Sequence, residues 1–320
     1  MAFEAQPRGL CFILTSPCAK AQKIRGNFME YILAGISIGG QYALIAIGYT
    51  MVYGILRLIN FAHGDIFMVA GLMMVYAVTA MPLAAAIPFV LIMTMLLGFA
   101  VERAAYKPLR TAPRMSVMIS AIGVSYMLQN VALYATGGLA KTYPAIPWLS
   151  DMVTVFGATT KRVTLITPVL TLALVVGLVL LIRFTKIGIA MRAVSKDFET
   201  AQLMGIRINR VISATFIIGS LLAAVGSVLY FTNYPSVIPT SGSMPGLKSF
   251  VAAVFGGIGS IPGAVIGAFI IGICENLIRS VSIAGVSMST FSDAFTFALL
   301  IVILCVKPTG LFGEKTAEKV

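Results

Sequence analysis

Residues able to do chemistry are few in this 320-residue sequence, and they fall in four places. The first is a polar break, Arg57 to Asp65 (RLINFAHGD), holding Asn60, the single histidine His63, Gly64 and Asp65. One imidazole with no second ionisable partner nearby in sequence makes a poor proton wire. It cannot complete a metal shell without further His or Cys ligands. Asn, His and Asp side chains do satisfy backbone groups freed at a turn. The break therefore reads as a structural turn, with a polar pathway lining or proton relay as the alternative. The second place is Gly256 to Gly263 (GGIGSIPG), where Gly256, Gly257, Gly259, Pro262 and Gly263 interrupt an apolar region. Glycine and proline at this density break a helix. The run lacks the Gly-Lys-Ser/Thr ending of a phosphate loop and the preceding strand of a dinucleotide site.

The third place is Glu275, beside Asn276 at the end of the apolar run 264–274. A carboxylate inside a membrane is costly and points to function. The competing reading, preferred here, puts it at an outer helix end in headgroup water, paired with Arg279 four residues on. The fourth is the basic segment 183–210, with Arg183, Lys186, Arg192, Lys196, Arg207 and Arg210. Within it Ala193, Val194, Phe198, Ala201, Leu203 and Met204 outline one short amphipathic helix, stopped at Gly205. It is either a docking element for a soluble partner or an interfacial helix resting on anionic headgroups. No Ser/His/Asp arrangement is credible with the one histidine in the break, so no catalytic residue is expected.

The elements that must position these residues are apolar. The sequence is 59% hydrophobic and 11% charged, against about a quarter charged in soluble domains. Mean hydropathy is +0.98. The stretch 163–182 has no charge at all, and about twenty apolar helical residues cross a bilayer. Further spans fall at about 30–56, 66–81, 83–101, 116–136, 211–231 and 290–306. The broken region 247–279 supplies two short half-spans. The fold class is all-α and polytopic, with eight or nine spans including broken helices and a candidate internal repeat. Paired interruptions in two halves point to a transport pathway.

Net charge is +12. The basic residues sit in loops between apolar segments rather than on one face with aromatics, which argues against nucleic acid. Loops 102–115 and 183–210 are expected inside by the positive-inside rule, and 137–162 and 232–246 outside. Residues 1–28 form a poorly structured extension ahead of one transmembrane domain, 29–320. Met29 is the expected true start, because basic residues at 20–25 on the outer side would violate the charge rule. Cys11 and Cys18 match no zinc spacing, and Cys274 and Cys305 read as small apolar residues.

The run Gly35 to Asp65, the run Phe250 to Gly267 and the ending Pro308-Thr309-Gly310 resemble the high-affinity branched-chain amino acid permeases of ATP-binding cassette importers. The likeness extends from about residue 29 to the C-terminus. It implies alternating access, no cofactor in this chain and ATP bound by partner subunits. The implied partners are a second permease, two cytoplasmic ATP-binding subunits, a periplasmic or lipid-anchored amino-acid-binding protein and membrane lipid, in a bacterial inner membrane. The family docks its ATPases through a Glu-Ala-Ala-x-x-x-Gly loop. Glu199-Thr200-Ala201-Gln202-Leu203-Met204-Gly205 is similar, with Thr in the second place and without the usual Ile-x-Leu-Pro beyond it. That assigns Arg192, Lys196, Asp197, Glu199, Ala201 and Gly205 to the coupling loop. A urea or short-amide permease of the same superfamily and an ion-coupled carrier working alone remain as alternatives.

Overall fold

The structure is a computed structural model describing residues 17–110, 112–155, 158–283, 286–307 and 309–313. Residues 1–16, and with them Cys11 and the start of the expected extension, lie outside it, as does Pro308. Twelve α-helices are described: α1 (Pro17–Leu56), α2 (His63–Ala80), α3 (Leu83–Val101), α4 (Arg114–Thr136), α5 (Pro147–Ser150), α6 (Arg162–Phe184), α7 (Lys186–Lys196), α8 (Phe198–Leu203), α9 (Ile208–Asn233), α10 (Ser243–Gly256), α11 (Ile261–Ser280) and α12 (Ser292–Val306). Among the described residues α1 already includes 17–28, part of the extension that the sequence reads as poorly structured. A π-helical turn, Glu102–Tyr106, prolongs α3. Eight helical segments are long and apolar enough to cross a membrane, from Met29–Leu56 to Met288–Val306. The fourteen-residue α10 is not among them.

Three short antiparallel strand pairs sit between helices. They are β1 (Lys141–Thr142) with β4 (Ser236–Val237), β2 (Met152–Val155) with β3 (Ala158–Lys161), and β5 (Ser282–Ile283) with β6 (Val286–Ser287). An Asp151–Arg162 ion pair of 3.1 Å and a hydrogen bond from Lys161 Nζ to the Asn233 carbonyl (2.9 Å) tie the first two pairs to one end of the bundle. At the opposite end Arg110 bonds both Glu102 and Asn209. The backbone of Leu311 and Phe312 there donates to the carbonyls of Phe255 (2.9 Å) and Gly256 (3.0 Å). The two basic loops, 102–115 and 183–210, thus share one end, as the span parity requires.

Helices α1, α9 and α11 form the middle. Some 72% of the apolar stretch of α1 is buried, against 17% for α6 and 11% for α12, so the latter two present apolar faces outward. Small residues let the central backbones touch, which is how helices associate where lipid removes the hydrophobic drive. A Cβ on Gly35 would lie 2.9 Å from the Ile273 Cα, and one on Gly272 would run into the Gly39 backbone. Gly272→Val is therefore expected to separate α1 from α11 and cost about 1–3 kcal/mol by overpacking. A folded, monodisperse yield in detergent equal to wild type would contradict this.

Candidate functional site

Helix α2 starts deep inside the bundle. A Cβ on Gly48 would collide with the His63 ring, so the start of α2 is pressed against α1 at that level. Gly48 lies eight residues before Leu56, about 12 Å from the end of α1 at 1.5 Å per residue. Gly219, eleven residues into α9, faces the same point from about 16 Å above its own basic end. Residues 57–62 climb this distance without helix, through Arg57 at a φ of 51°. The early break is a re-entry to mid-depth.

The partner of that break is not where the sequence put it. After Val237 the chain dives inward and α10 begins at mid-depth. A Cβ on Gly64 would sit 2.7 Å from the Gly242 carbonyl oxygen and 3.0 Å from the Gly246 Cα. The N-terminal ends of α2 and α10 thus meet at glycine-to-glycine contact. Helix α10 runs about 21 Å from there to the basic end, and the twenty-residue α11 returns across about 30 Å. The expected pair of half-spans is one half-helix and one full span. The 256–263 break lies at the basic end. Backbone contact joins Gly256 to Gly263, and Gly257, at a φ of 108°, packs on Gly313. The carbonyls of Phe255 and Gly256 are taken by the C-terminal segment. Gly259 and Pro262 line a cavity of 780 Å³ that extends from Thr50 and Arg57 to Arg192 and Lys196 of α7.

The polar residues of the early break do not bond to one another through their side chains as a local turn would. The Tyr106 hydroxyl donates to Asn60 Oδ1 (2.8 Å). Asp65, in the first turn of α2, accepts from Ser125 Oγ (2.5 Å) and Gln129 Nε2 (3.0 Å) of α4. A carboxylate there also complements the partial positive charge of the helix start. His63 meets Tyr49 edge to face at 5.1 Å. Its Nε2 has no hydrogen-bond partner among the described residues, nor have the polar side-chain atoms of Gln41 and the hydroxyls of Ser37, Thr50, Ser220 and Ser227. These atoms follow α1 and α9 from the hairpin end to mid-depth.

Glu275 is the clearest correction. It is fully buried, not in headgroup water. The pair with Arg279 exists (2.5 Å), but Glu275 also bonds Lys248 Nζ (2.6 Å) and accepts from the Tyr42 hydroxyl (3.1 Å). Lys248 bridges on to Asp293 at 2.6 Å. The sequence carried a signal for this: Lys248 is the only charged residue between Arg210 and Glu275. A second buried carboxylate, Glu102, assigned by sequence to a loop, binds Arg110 and accepts from Ser213 (2.9 Å). At the hairpin end, burial raises the pKa of the Tyr143 phenol above its usual value. It stays a neutral hydroxyl, its ring stacked 5.7 Å from Phe231.

The basic segment 183–210 forms two short helices rather than one. Helix α7 ends at Lys196, and Asp197 caps α8 by accepting from the backbone of Glu199 (3.1 Å) and Thr200 (3.2 Å). Gly205 closes the segment at a φ of 78°, a left-handed stop that suits glycine. Met191, Val194 and Ala201 are buried, while Arg192, Lys196 and Glu199 remain partly or fully exposed. Among the described residues no group of His, Cys, Asp and Glu could hold a metal ion.

A family model described as the branched-chain amino acid transport system permease component matches residues 31–304. The high-affinity branched-chain amino acid transport system permease protein LivH of Escherichia coli K12 is 40% identical over 308 residues, covering 92% of this chain and 98% of that protein. The corresponding protein BraD of Pseudomonas aeruginosa is 39% identical over 310 residues, with the same coverage.

Proposed function

We propose how this subunit works from one premise: the chain belongs to the family of branched-chain amino acid transport permease components. It is a membrane-spanning transport subunit, not an enzyme. The near full-length match to these permeases supports the reading that it moves leucine, isoleucine and valine inward across a bacterial inner membrane. A second permease, two ATP-binding subunits and an amino-acid-binding protein complete the machine. The basic end faces the cytoplasm.

The geometry suits alternating access. The 780 Å³ cavity opens from Thr50 toward α7, and a smaller one of 260 Å³ reaches Tyr42 from the hairpin end. Thr50 is eight residues on from Tyr42 along α1, about 12 Å of closed core that includes Gly48. Each buried polar atom left unpaired costs about 1–3 kcal/mol. The row formed by Ser37, Gln41 and His63, which share the Gly48 side of α1, is therefore the face that water or solute reaches when the pathway opens. In this conformation the larger cavity faces the cytoplasm.

Power enters at α7 and α8. Ala201 and Gly205 seat α8 against the start of α9, and Arg192, Lys196, Asp197 and Glu199 offer the charged face to an ATPase. Helix α9 is a rod of about 39 Å whose Gly219 touches Gly48 and His63 at mid-depth. A tilt at its base is delivered to the crossing of α2 and α10. ATP drives this only through its different affinity for the two global states.

Reconstitution of the full system in proteoliposomes, with loaded binding protein outside and ATP inside, tests the reading. ATP-dependent leucine uptake is expected. Uptake of urea in preference to leucine, or leucine uptake by this chain alone on an ion gradient, would refute it. Asp197→Ala removes the α8 cap, worth about 1 kcal/mol. It is expected to reduce uptake about fivefold and to weaken the stimulation of ATP hydrolysis by loaded binding protein. Full coupling in that variant would detach the lever from α8.

A further inference from the structure

The strongest unassigned feature is the cavity of 260 Å³ toward the hairpin end, enclosed by α1, α9, α10, α11 and the start of α12. Its wall carries three phenols, Tyr42, Tyr230 and Tyr234, and three charges, Lys248, Arg279 and Asp293. Glu275 lies just behind, fully buried, and holds both cations through one oxygen, Oε1. The four charges sum to zero, so the site attracts no ion of single sign on balance.

The charges are also unequal in freedom. The Lys248 side chain is 4% exposed and that of Glu275 is 0%, which fixes them. Asp293 is 37% exposed and can release Lys248. Lys248 has three N–H donors and spends two on Glu275 and Asp293. The third remains for a ligand, and Arg279 adds further donors from the same wall. A carboxylate arriving there finds two cations. The Asp293 it displaces becomes an acceptor for an ammonium on the same molecule. Ile38 and Met244 add only a small apolar edge to a wall that is chiefly polar, which suits the charged head of a solute more than its side chain. The volume falls just below the roughly 300 Å³ at which pockets for drug-sized ligands begin, as suits a solute the size of leucine.

We propose that this cavity binds the zwitterionic head of the transported amino acid, its carboxylate on Lys248 and Arg279 and its ammonium on Asp293. The site is the first station in the permease after the solute leaves its carrier. The proposal rests on the transport reading above.

The test uses the assembled complex of both permeases and ATPases in nanodiscs, without binding protein, and tritiated leucine. Saturable leucine binding is expected. 4-Methyl-2-oxopentanoate, which lacks the ammonium, and 3-methylbutylamine, which lacks the carboxylate, should compete at least tenfold more weakly. Asp293→Asn should weaken leucine at least tenfold while leaving the oxo acid no weaker, a split that a merely structural role would not produce. Arg279→Lys should weaken leucine and the oxo acid together and spare the amine. Co-purification of all subunits confirms that each variant is assembled. Equal competition by the three compounds in the wild type overturns the proposal without any variant. So does a uniform loss in Asp293→Asn, or no saturable binding in a complex that transports leucine. Absence of leucine uptake by the complete wild-type system would instead defeat the transport reading itself.

Discussion

Glu275→Ala is expected to lower the thermal midpoint of the purified subunit by roughly 5–8 °C. The carboxylate is fully buried and holds Lys248, Arg279 and Tyr42 together across α1, α10 and α11. Removing one partner of a buried ion pair costs about 3–5 kcal/mol, because the opposite charge is left desolvated. For a chain of this size each kcal/mol is worth about 1.5 °C. Lys248 would keep only Asp293, which is partly exposed. Replacing both members, Lys248→Met with Glu275→Met, is expected to recover most of the lost stability, since an apolar pair of similar volume carries no desolvation cost. Leucine uptake should not recover with it. A scanning-fluorescence melt comparing wild type, single and double variants checks the first claim, and equal midpoints for wild type and Glu275→Ala would refute it. Recovered uptake in the double variant would place the ion cluster outside the pathway.

Gly64→Val is expected to reduce leucine uptake by about fivefold to 150-fold, the kinetic equivalent of about 1–3 kcal/mol of overpacking. Gly64 meets Gly242 and Gly246 backbone to backbone, so no flexible side chain is available to yield. The added methyl groups would wedge the N-terminal ends of α2 and α10 apart at mid-depth. Gly177, on the exposed side of α6, is the matched control, since a Cβ there meets nothing within 4 Å. Gly177→Val should retain most uptake. Equal losses at Gly177 and Gly64 would mean that neither reports on the crossing.

Local information made much of the molecule legible. Long uncharged runs located the spans, because backbone polar groups in lipid must be satisfied within a helix. Clustered Lys and Arg sorted loops 102–115 and 183–210 to a common end. Gly205 was read as a stop, and it has the left-handed backbone that such a stop requires. The density of Gly and Pro in 256–263 identified a true interruption between α10 and α11. In each case the deciding interaction is between neighbours in sequence or between one segment and its solvent.

What the sequence by itself determined is therefore the all-α, membrane-crossing plan and the place of most of its spans. Only the tertiary structure decided depth and pairing. It moved the mid-depth partner of the early break from Gly256–Gly263 to Gly242–Gly246, and it took Glu275 from a helix end to the centre of an ion cluster with Lys248, Arg279 and Asp293. The physical reason is the same for both. A charge is tolerated, and a half-helix can end, only where distant segments close around it. Tyr42, Lys248 and Glu275 come together across more than two hundred residues of chain, a distance over which no periodicity in the sequence reaches.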